Sequence, residues 1–469
     1  MIIEQIYTGC LAQGAYYIHS NGEAAIIDPL REVTPYIEKA ADDKVKIKYV
    51  FETHFHADFV SGHVTLAKKS GAPIIFGPNA NPSFDAHIAK DGEVFKLGNI
   101  SIKVLHTPGH TMESTTYLVL DSDGKEHAIF TGDTLFLGDV GRPDLAQKSD
   151  DLTMEDLAGY SFESLRNKIM PLPDDVIVYP AHGAGSACGK KMMKETVDTL
   201  GNQKEMNYAL RADMTKEEFI KEVTQDLLPP PAYFPLNVKM NKEGYEDIET
   251  VISTGLKPLS PKEFELIANE TEAIMLDVRT PFDFATEHIP NSIFIGLDGS
   301  FAPWVGELIV DVKQPIILIA PEGREEEAIT RLSRVGFDNT LGYLDGGIEA
   351  WEEAGKELDT VSSVSASQLE SEYDNYASRI FDVRKESEYL SEHVSEAKNT
   401  PLSKINSYLA EYPKEEKFYI HCAGGYRSMI ASSILKSRGY HNMIDVQGGF
   451  KAIKESKIPT SEFVCPTSL

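Results

Sequence analysis

The stretch THFHAD at residues 53–58 decides how the first half of this chain is interpreted. It follows an apolar, strand-like run at residues 47–51, so two histidines and an aspartate come at the end of a predicted strand. Imidazole nitrogens and carboxylate oxygens are common metal ligands. The pattern H-x-H-x-D is only moderately specific alone, and a lone histidine is more often a buried structural residue. The stretch therefore indicates a metal site if further ligands follow it.

Three further potential ligands come at similar positions later in the chain. His110 follows TPG, Asp133 lies in TGDT and His182 lies in YPAHG. Each comes after a strand-like run or within a turn-rich segment. Scattered core histidines are not expected to share that placement, so the set predicts one metal centre.

In this order the motifs resemble the metallo-β-lactamase fold superfamily over roughly the first half of the chain. One position departs from its hydrolases, which read THxHxDH and use the last histidine to hold a second metal. That position is Phe59 here. A phenyl ring offers a metal no lone pair, so a full second site is not expected. The motifs are instead similar to the persulfide dioxygenase branch, which holds a single iron with two histidines and an aspartate.

That resemblance implies site residues position by position. It implies three ligands of one Fe(II) per chain: His54, His110 and Asp133. Three other matching positions would surround them as a second shell: His56, Asp58 and His182. Two imidazoles and one carboxylate leave open positions on an octahedral ion, which suits Fe(II) binding both a substrate and O2. Zinc more often activates a water for hydrolysis, and ligand type alone does not exclude it.

The composition indicates a globular protein of several domains. The chain has 469 residues, 42% hydrophobic and 25% charged, which is ordinary for such proteins and too long for one core. Its net charge of -28 argues against nucleic acid and anionic membranes as partners. We find no signal peptide and no run long enough to span a bilayer. Four scattered cysteines do not suggest a disulfide framework, so we expect a cytoplasmic protein.

The second half of the chain contains an internal repeat. Each copy alternates short apolar strands with helical stretches, which predicts a parallel sheet covered by helices. The copies are separated by about one hundred residues, within the usual domain length. The recurring motifs are MLDVR at 275–279 and IFDVR at 380–384, EHI at 287–289 and EHV at 392–394, and DGGI at 345–348 and QGGF at 447–450.

Both copies resemble rhodanese domains in these motifs. We therefore predict an α/β multidomain protein in which an αββα metallo-β-lactamase sandwich precedes two α/β rhodanese domains with parallel sheets. The predicted boundaries are residues 1–235 for the sandwich, 236–259 for a linker, 260–358 for the first rhodanese-like domain and 359–469 for the second.

The second copy carries HCAGGYRS at residues 421–428, between an apolar strand and a helix. Backbone N–H groups and a helix N-terminus around such a cysteine stabilise a thiolate, a persulfide or a bound anion. We predict Cys422 as the persulfide carrier and Arg427 as the charge that stabilises the anion. The other residues predicted to bind substrate in this loop are Ala423, Gly424, Gly425, Tyr426 and Ser428. Cysteine-dependent phosphatases read H-C-x5-R, a loop one residue longer, which favours sulfur transfer here.

The first copy has no thiol at the corresponding place, where the chain reads APEGREEE at residues 320–327. Pro321 removes a backbone donor, and the glutamates would repel a sulfur oxyanion. We therefore predict that this copy is catalytically silent and has a spacer or docking role.

The whole arrangement resembles the persulfide dioxygenase–rhodanese fusions of bacterial sulfide detoxification. That resemblance implies that O2 oxidises a low-molecular-weight thiol persulfide to sulfite at Fe(II). It further implies that Cys422 transfers sulfane sulfur to sulfite, which leaves as thiosulfate. Glutathione, coenzyme A and bacillithiol all remain open as the thiol. Dimers and tetramers are common for this fold combination, so we expect a homo-oligomer.

Several alternatives stay open at the level of sequence. Cys188, in a Gly-rich loop before two lysines, is either a relay that carries a persulfide to the metal or an inert buried thiol. Arg142 either binds an anionic group of the thiol substrate or forms a structural salt bridge. The alternative functions are a glyoxalase II-like zinc thioester hydrolase fused to a sulfurtransferase, and a non-enzymatic sulfur carrier or persulfide sensor that uses Cys422.

Overall fold

The computed structural model describes residues 1–145, 152–227 and 229–465. These residues form two compact units, one of residues 1–250 with 332–337 and one of residues 251–331 with those from 338 onward. The first unit contains two six-stranded sheets and the second contains two five-stranded sheets. Among the described residues there is no helix whose length and apolar character would let it cross a membrane.

The first sheet follows the order of its strands along the chain. Its strands are β1 (Ile2–Thr8), β2 (Gln13–Ser20), β3 (Glu23–Ile27), β4 (Lys46–Phe51), β5 (Ile74–Phe76) and β6 (His87–Ile88). The first three are antiparallel, and β3 to β6 are parallel. Parallel neighbours need crossover connections, and α1 (Thr34–Asp42) and α2 (His63–Ser70) supply two of them. Both helices pack on the outer face of this sheet.

The second sheet is mostly antiparallel, with one parallel pair formed by its fourth and fifth strands. Its strands are β7 (Val94–Leu97), β8 (Ile100–His106), β9 (Thr115–Leu120), β10 (Glu126–Gly132), β11 (Ile177–Pro180) and β12 (Asp198–Thr199). Its outer face is covered by α3 (Met154–Ser164), which continues as a π-helical turn (Leu165–Ile169), and by α4 (Leu200–Met206), a 3-10 turn (Tyr208–Leu210) and α5 (Lys216–Thr224).

Alternating side chains bring the two sheets face to face. Tyr16 and Ile18 of β2 pack with Ile102 and Val104 of β8, and Phe130 of β10 lies in the same buried cluster. Because side chains alternate across a strand, the other face of each sheet remains for the helices. The αββα sandwich predicted from the sequence is thereby confirmed.

Two helices occupy the segment predicted as a linker, residues 236–259. They are α6 (Phe234–Glu243) and α7 (Ile248–Gly255). The first unit runs to residue 250, so α6 belongs to it. Two of the buried residues on α6 are asparagines, Asn237 and Asn241, which explains why the sequence shows no apolar periodicity there.

The third sheet is entirely parallel, with strand order β13-β17-β16-β14-β15. Its strands are β13 (Pro258–Leu259), β14 (Ile274–Asp277), β15 (Ile293–Phe294), β16 (Ile316–Ile319) and β17 (Thr340–Leu344). The helices of this copy are α8 (Pro261–Thr271), α9 (Pro281–Thr286), α10 (Phe301–Leu308), α11 (Glu325–Ser333) and α12 (Gly347–Glu353).

The fourth sheet repeats that order as β18-β22-β21-β19-β20, again all parallel. Its strands are β18 (Ser363–Val364), β19 (Ile380–Asp382), β20 (Lys398–Asn399), β21 (Phe418–His421) and β22 (Met443–Val446). Its helices are α13 (Ala366–Tyr376), α14 (Glu386–Ser391), α15 (Tyr426–Ser437) and α16 (Gly449–Ile453), with 3-10 turns at Ala377–Arg379, Leu402–Ser407 and Leu409–Glu411. The predicted pair of parallel α/β domains is confirmed.

An ion pair at the end of a strand explains why DVR and EH recur together in both copies. Arg279 Nη2 lies 2.7 Å from Asp277 Oδ2 and donates to the carbonyl oxygen of Glu287 at 2.7 Å. Arg384 makes the same two contacts, with Asp382 at 2.5 Å and with the corresponding turn carbonyl at 2.8 Å. A charge-assisted pair of this kind fixes the end of the strand and the turn after the next helix relative to each other.

We expect Phe130→Ala to lower the free energy of unfolding of the first unit by about 3–5 kcal/mol, because it empties a fully buried site between the sheets. Urea titration measures this change. The control is Phe282→Ala in the second unit, whose ring is 73% exposed, with an expected change within about 0.5 kcal/mol. Equal effects of the two substitutions would contradict the assigned core.

Candidate functional site

Three potential metal ligands of the first unit converge at the ends of its strands. His54 follows β4, His110 lies in the turn after β8, and Asp133 follows β10. The Nε2 atoms of His54 and His110 lie 3.8 and 3.5 Å from Asp133 Oδ2. All three side chains are buried, and their donor atoms are close enough to contact one cation.

Hydrogen bonds hold both histidines in the form that binds a metal. The Thr53 hydroxyl donates to Asp28 Oδ2 at 2.8 Å, so its oxygen accepts from His54 Nδ1 at 3.0 Å. His110 Nδ1 donates to the carbonyl oxygen of Arg142 at 2.8 Å. Burial and the neighbouring imidazoles lower the pKa of His54 well below its usual value, which keeps the ring neutral. In both histidines Nδ1 thus makes the orienting hydrogen bond, and Nε2 is the nitrogen that faces Asp133.

Two glycines allow the ligand segments to approach each other closely. A Cβ atom at Gly132, where φ is +52°, would lie 2.5 Å from Thr53 Oγ1. A Cβ atom at Gly141 would lie 2.0 Å from the carbonyl oxygen of Asp133 and 3.0 Å from His110 Nδ1. Any larger residue at either position would push the ligands apart.

A second buried group of potential ligands lies beside the first and consists of His56, Asp58 and His182. His182 Nε2 is 3.4 Å from Asp58 Oδ2 and 3.6 Å from Asp133 Oδ1. Burial opposes protonation of His182, but the two carboxylates outweigh it and raise its pKa to about 9. The carboxylates of Asp58 and Asp133 therefore favour a positive charge between them.

Phe59 closes one side of this second group. Its ring is fully buried, and its centroid lies 4.4 Å from that of His56. It places carbon atoms beside His56, and carbon does not coordinate a cation. The structure thus brings together all six residues that the sequence pointed to, as two adjacent groups of three.

Unpaired buried oxygens mark the same place as a cation site. Within the described residues, Asp133 Oδ1, Asp133 Oδ2 and Asp58 Oδ1 have no hydrogen-bond partner. A buried polar atom left in that state costs about 1–3 kcal/mol, and more when it is charged. A cation held by His54, His110 and Asp133 would offset that cost, so these residues fit a metal. Two nitrogens and one oxygen suit Fe(II) and also zinc.

Two residues that hold the ligand loop were not predicted from the sequence, Asp28 and Asn241. Asp28 follows β3, accepts from Thr53 N at 2.8 Å and lies 3.2 Å from His56 Nε2. Asn241 of α6 donates to the carbonyl oxygen of His56 at 2.8 Å. The strand-and-turn sequence IIDP at residues 26–29 was an available signal for Asp28. Nothing in the sequence marked Asn241, because it reaches the loop from a distant helix.

Cys188 lies against the metal ligands. Its Sγ is within 4.8 Å of a donor atom of both Asp133 and His182. Burial, and then the nearby carboxylates, raise the pKa of its thiol well above the usual value. The lysines that follow bond elsewhere, since Lys190 Nζ donates to a backbone carbonyl at 3.1 Å and Lys191 pairs with Glu222. Lysine activation of this thiol therefore finds no support, and the relay role stays a prediction.

Both the guanidinium and the backbone of Arg142 bond to protein groups. Its Nε and Nη2 lie 2.6 and 2.7 Å from the carboxylate oxygens of Asp144. Its backbone N–H donates to the carbonyl oxygen of Cys188 at 3.1 Å. Since its own carbonyl orients His110, the contacts favour the structural interpretation of Arg142 over substrate binding.

Cys422 of the second unit lies in a tight turn between β21 and α15. Cys422 is 1% exposed, and Gly425 N donates to its Sγ at 3.1 Å. Gly425 has a φ of +105°, which glycine adopts without steric strain, and the helix begins at the next residue. A backbone N–H and a helix N-terminus at the sulfur stabilise negative charge on it.

The other loop residues have separate contacts. Arg427 forms a bidentate ion pair with Glu388, at 2.6 and 2.9 Å, so its charge is balanced by a residue that the sequence did not indicate. Ser428 Oγ donates to the carbonyl oxygen of Gly425 at 3.2 Å. Ala423 and Gly424 are exposed. Tyr426 points its hydroxyl at the carbonyl oxygen of Gly296 in the first rhodanese-like copy, at 2.7 Å.

The corresponding loop of the first copy is occupied by ion pairs. Arg324 lies 2.9 Å from Asp298 and 2.7 Å from Glu327. Its guanidinium is thus paired with carboxylates of its own copy, and the loop contains no sulfur nucleophile. This arrangement agrees with a copy that does not carry sulfur.

Comparisons with known proteins match both parts of the chain. The metallo-β-lactamase superfamily matches residues 8–182, and the rhodanese-like domain matches residues 260–354 and 365–456. A solved structure of a metallo-β-lactamase from Staphylococcus aureus is 31% identical, with a TM-score of 0.65, over 73% of this chain and 98% of that one. The chain belongs to the metallo-β-lactamase superfamily. The rhodanese-like matches confirm the two further domains of this superfamily member.

The curated relatives of this metallo-β-lactamase-fold protein include persulfide dioxygenases and hydroxyacylglutathione hydrolases. Human mitochondrial persulfide dioxygenase ETHE1 is 28% identical over 47% of this chain and 78% of the relative. A probable hydroxyacylglutathione hydrolase of Schizosaccharomyces pombe is 32% identical over 34% of this chain and 59% of the relative. The chain thus spans less than two thirds of that hydrolase. The dioxygenase relatives and the tandem rhodanese domains together support the predicted persulfide dioxygenase–rhodanese fusion.

We expect Phe59→His to increase metal binding from one ion per chain toward two, because it adds an imidazole next to His56, Asp58 and His182. Metal analysis of protein loaded with Zn²⁺ and dialysed measures the ratio. Phe59→Leu is the control, since it keeps the site apolar and adds no lone pair. Two ions per chain in the wild type would refute the single-metal interpretation.

Proposed function

We propose that the first unit oxidises the terminal sulfur of a low-molecular-weight thiol persulfide to sulfite, using O2 and one Fe(II). The observation that carries the proposal is the buried group of His54, His110 and Asp133 with Phe59 in place of a further ligand. Fe(II) bound there would supply open coordination positions and redox chemistry for the reaction of sulfur with O2. The dioxygenase relatives support this choice of reaction.

The chain's own residues orient the ligands and limit the access of water. Thr53 and the carbonyl of Arg142 fix the two imidazoles, as described above. The fully buried rings of Phe59 and Phe136 pack beside His56 and His182. An apolar wall of this kind protects a reactive sulfur species from hydrolysis.

We further propose that the second unit forms thiosulfate through Cys422. The thiolate attacks the outer sulfur of a persulfide, the S–S bond breaks, and the thiol leaves with the proton. Sulfite then attacks the outer sulfur of the Cys422 persulfide, and the Cys422 thiolate leaves as thiosulfate forms. Gly425 N and the start of α15 stabilise the thiolate at the beginning and end of this cycle.

A second candidate function is thioester hydrolysis with zinc. The group of His56, Asp58 and His182 favours it, because these residues contain three further donor atoms beside Asp133. The similarity to hydroxyacylglutathione hydrolases points in the same direction. Phe59 argues against it, since it removes one ligand from the second position.

One experiment separates the two candidates. Protein purified without oxygen is analysed for metals and then tested for oxygen uptake with the persulfides of glutathione, coenzyme A and bacillithiol. We expect one iron per chain and uptake that depends on a persulfide. Two zinc ions per chain, thioester hydrolysis and no oxygen uptake would establish the hydrolase instead.

We expect Asp133→Asn to reduce the iron content, because a neutral amide does not balance the charge of the ion. Oxygen uptake should fall by more than ~10–100-fold, the loss that is typical when a residue supporting a metal ligand is removed. Metal analysis and an oxygen electrode measure the two effects. Asp91→Asn, at an exposed ion pair with Lys168, is the control and should match the wild type. Full iron content in Asp133→Asn would exclude this residue as a ligand.

We expect Cys422→Ser to convert persulfide and O2 to sulfite without forming thiosulfate, because serine does not carry sulfane sulfur. Ion chromatography of the products distinguishes sulfite from thiosulfate. The matched control is Cys465→Ser, which removes an exposed thiol of the same unit and should leave thiosulfate as the product. Thiosulfate formation by Cys422→Ser would show that another group transfers the sulfur.

A further inference from the structure

Helix α15, which begins directly after the Cys422 loop, is anchored to the first rhodanese-like copy at two points. The Tyr426 hydroxyl donates to the carbonyl oxygen of Gly296 at 2.7 Å. Ser433 Oγ accepts from Phe294 N at 3.0 Å. Tyr426 and Ser433 stand at i and i+7, so both anchors lie on one face of the helix.

One anchor pairs with an edge strand of the first copy. Phe294 belongs to β15, which has a neighbour on one side only in its sheet. The outer N–H groups of an edge strand lack partners within the sheet, and a buried one is costly unless something accepts from it. Ser433 accepts from Phe294 N, so the edge of the first copy is completed by the helix that carries the second copy's loop.

The other anchor is a socket for the Tyr426 ring, which we define as Phe294, Gly296 and Gly299. A Cβ atom at Gly299 would lie 2.5 Å from the Tyr426 ring atoms Cε2 and Cζ, so the ring fills the space that this glycine leaves. The Phe294 ring meets the Tyr426 ring edge-on, with centroids 6.0 Å apart and an angle of 69°. The phenol is thus fixed by shape as well as by its hydrogen bond.

The socket connects to the reactive sulfur through one residue. Tyr426 directly follows Gly425, whose N–H donates to Cys422 Sγ. The strand end of the loop is held by the backbone, since the Cys422 carbonyl accepts from Phe450 N at 2.7 Å, whereas Gly425 at the helix end has no side chain. The fixed position of Tyr426 therefore sets the helix end of the loop and, with it, the donor at the sulfur.

We propose that the first rhodanese-like copy, which has no thiol, positions the sulfur-transfer loop of the second copy through this socket. Tyr426 is then a positioning residue that acts on Cys422 through Gly425. The inference gives the predicted docking role a specific contact. It rests on the proposed sulfur transfer at Cys422, and its test includes a readout that does not need that activity.

The test uses Tyr426→Phe in the full-length chain, which keeps the ring and removes the hydroxyl. We expect sulfur loading of Cys422 from a persulfide to slow by about threefold to tenfold, the effect of losing one neutral hydrogen bond. We also expect iodoacetamide to alkylate Cys422 more slowly at neutral pH, because the backbone donor at its thiolate is displaced. Mass spectrometry across a pH series gives the alkylation profile of this residue. Thermal unfolding is recorded alongside.

Tyr440→Phe is the matched control. It removes a tyrosine bond to a backbone carbonyl, from Tyr440 to Leu409 at 2.7 Å, within the second copy and outside the loop. We expect it to leave both the loading rate and the alkylation profile unchanged. A general effect of lost stability would instead change both variants equally and would overturn the proposal.

A second variant tests the shape of the socket. Gly299→Ala should displace the Tyr426 ring and shift the alkylation profile of Cys422. In a Tyr426→Ala background the ring is absent, so adding Gly299→Ala should cause no further shift. Residues in contact show this kind of non-additivity. Wild-type alkylation profiles in Tyr426→Phe and Gly299→Ala would overturn the inference. Failure of the wild type to load sulfur would refute the proposed function, while the alkylation profiles would still decide the positioning role.

Discussion

The buried carboxylate of Asp133 is the charge around which the first unit's site is arranged. It faces His54 and His110 on one oxygen and His182 on the other. A carboxylate removed from water is stable only beside compensating positive charge. The segments after four strands of two different sheets must therefore meet at this point, and Gly132 and Gly141 make the meeting sterically feasible. The αββα sandwich is the frame that brings those strand ends together.

Much of this could be predicted from the sequence because the signals are local. The ligand motifs directly follow predicted strands. Within those strands, apolar residues at alternate positions indicate which face is buried. The DVR motif recurs because Asp277 and Arg279, two residues apart, form an ion pair. Each copy therefore contains both partners of its ion pair within one short motif. Such motifs reveal that the rhodanese-like domain occurs twice. Helix α6, in contrast, has two buried asparagines and no apolar periodicity, so the sequence did not indicate it.

The contacts that the sequence did not reveal join distant segments. Asn241 reaches the ligand loop from α6, and Glu388 neutralises Arg427 from α14. Neither residue stands in a motif that specifies its partner. The sequence predicts that Tyr426 binds substrate, whereas its hydroxyl donates to a carbonyl of the other rhodanese-like copy. Long-range pairing of this kind depends on the packed fold, which periodicity and spacing do not describe.

The contact between β15 and α15 has a consequence for dissecting the protein. Cleaving the chain between the two rhodanese-like copies would leave one fragment with an unpaired edge at β15 and the other with a solvent-exposed Tyr426 ring. Each fragment would then expose a surface that is buried in the intact chain, and we expect the fragments to self-associate through it. A domain without a thiol can thus serve a structural purpose, because it covers a surface of its neighbour without doing any chemistry of its own.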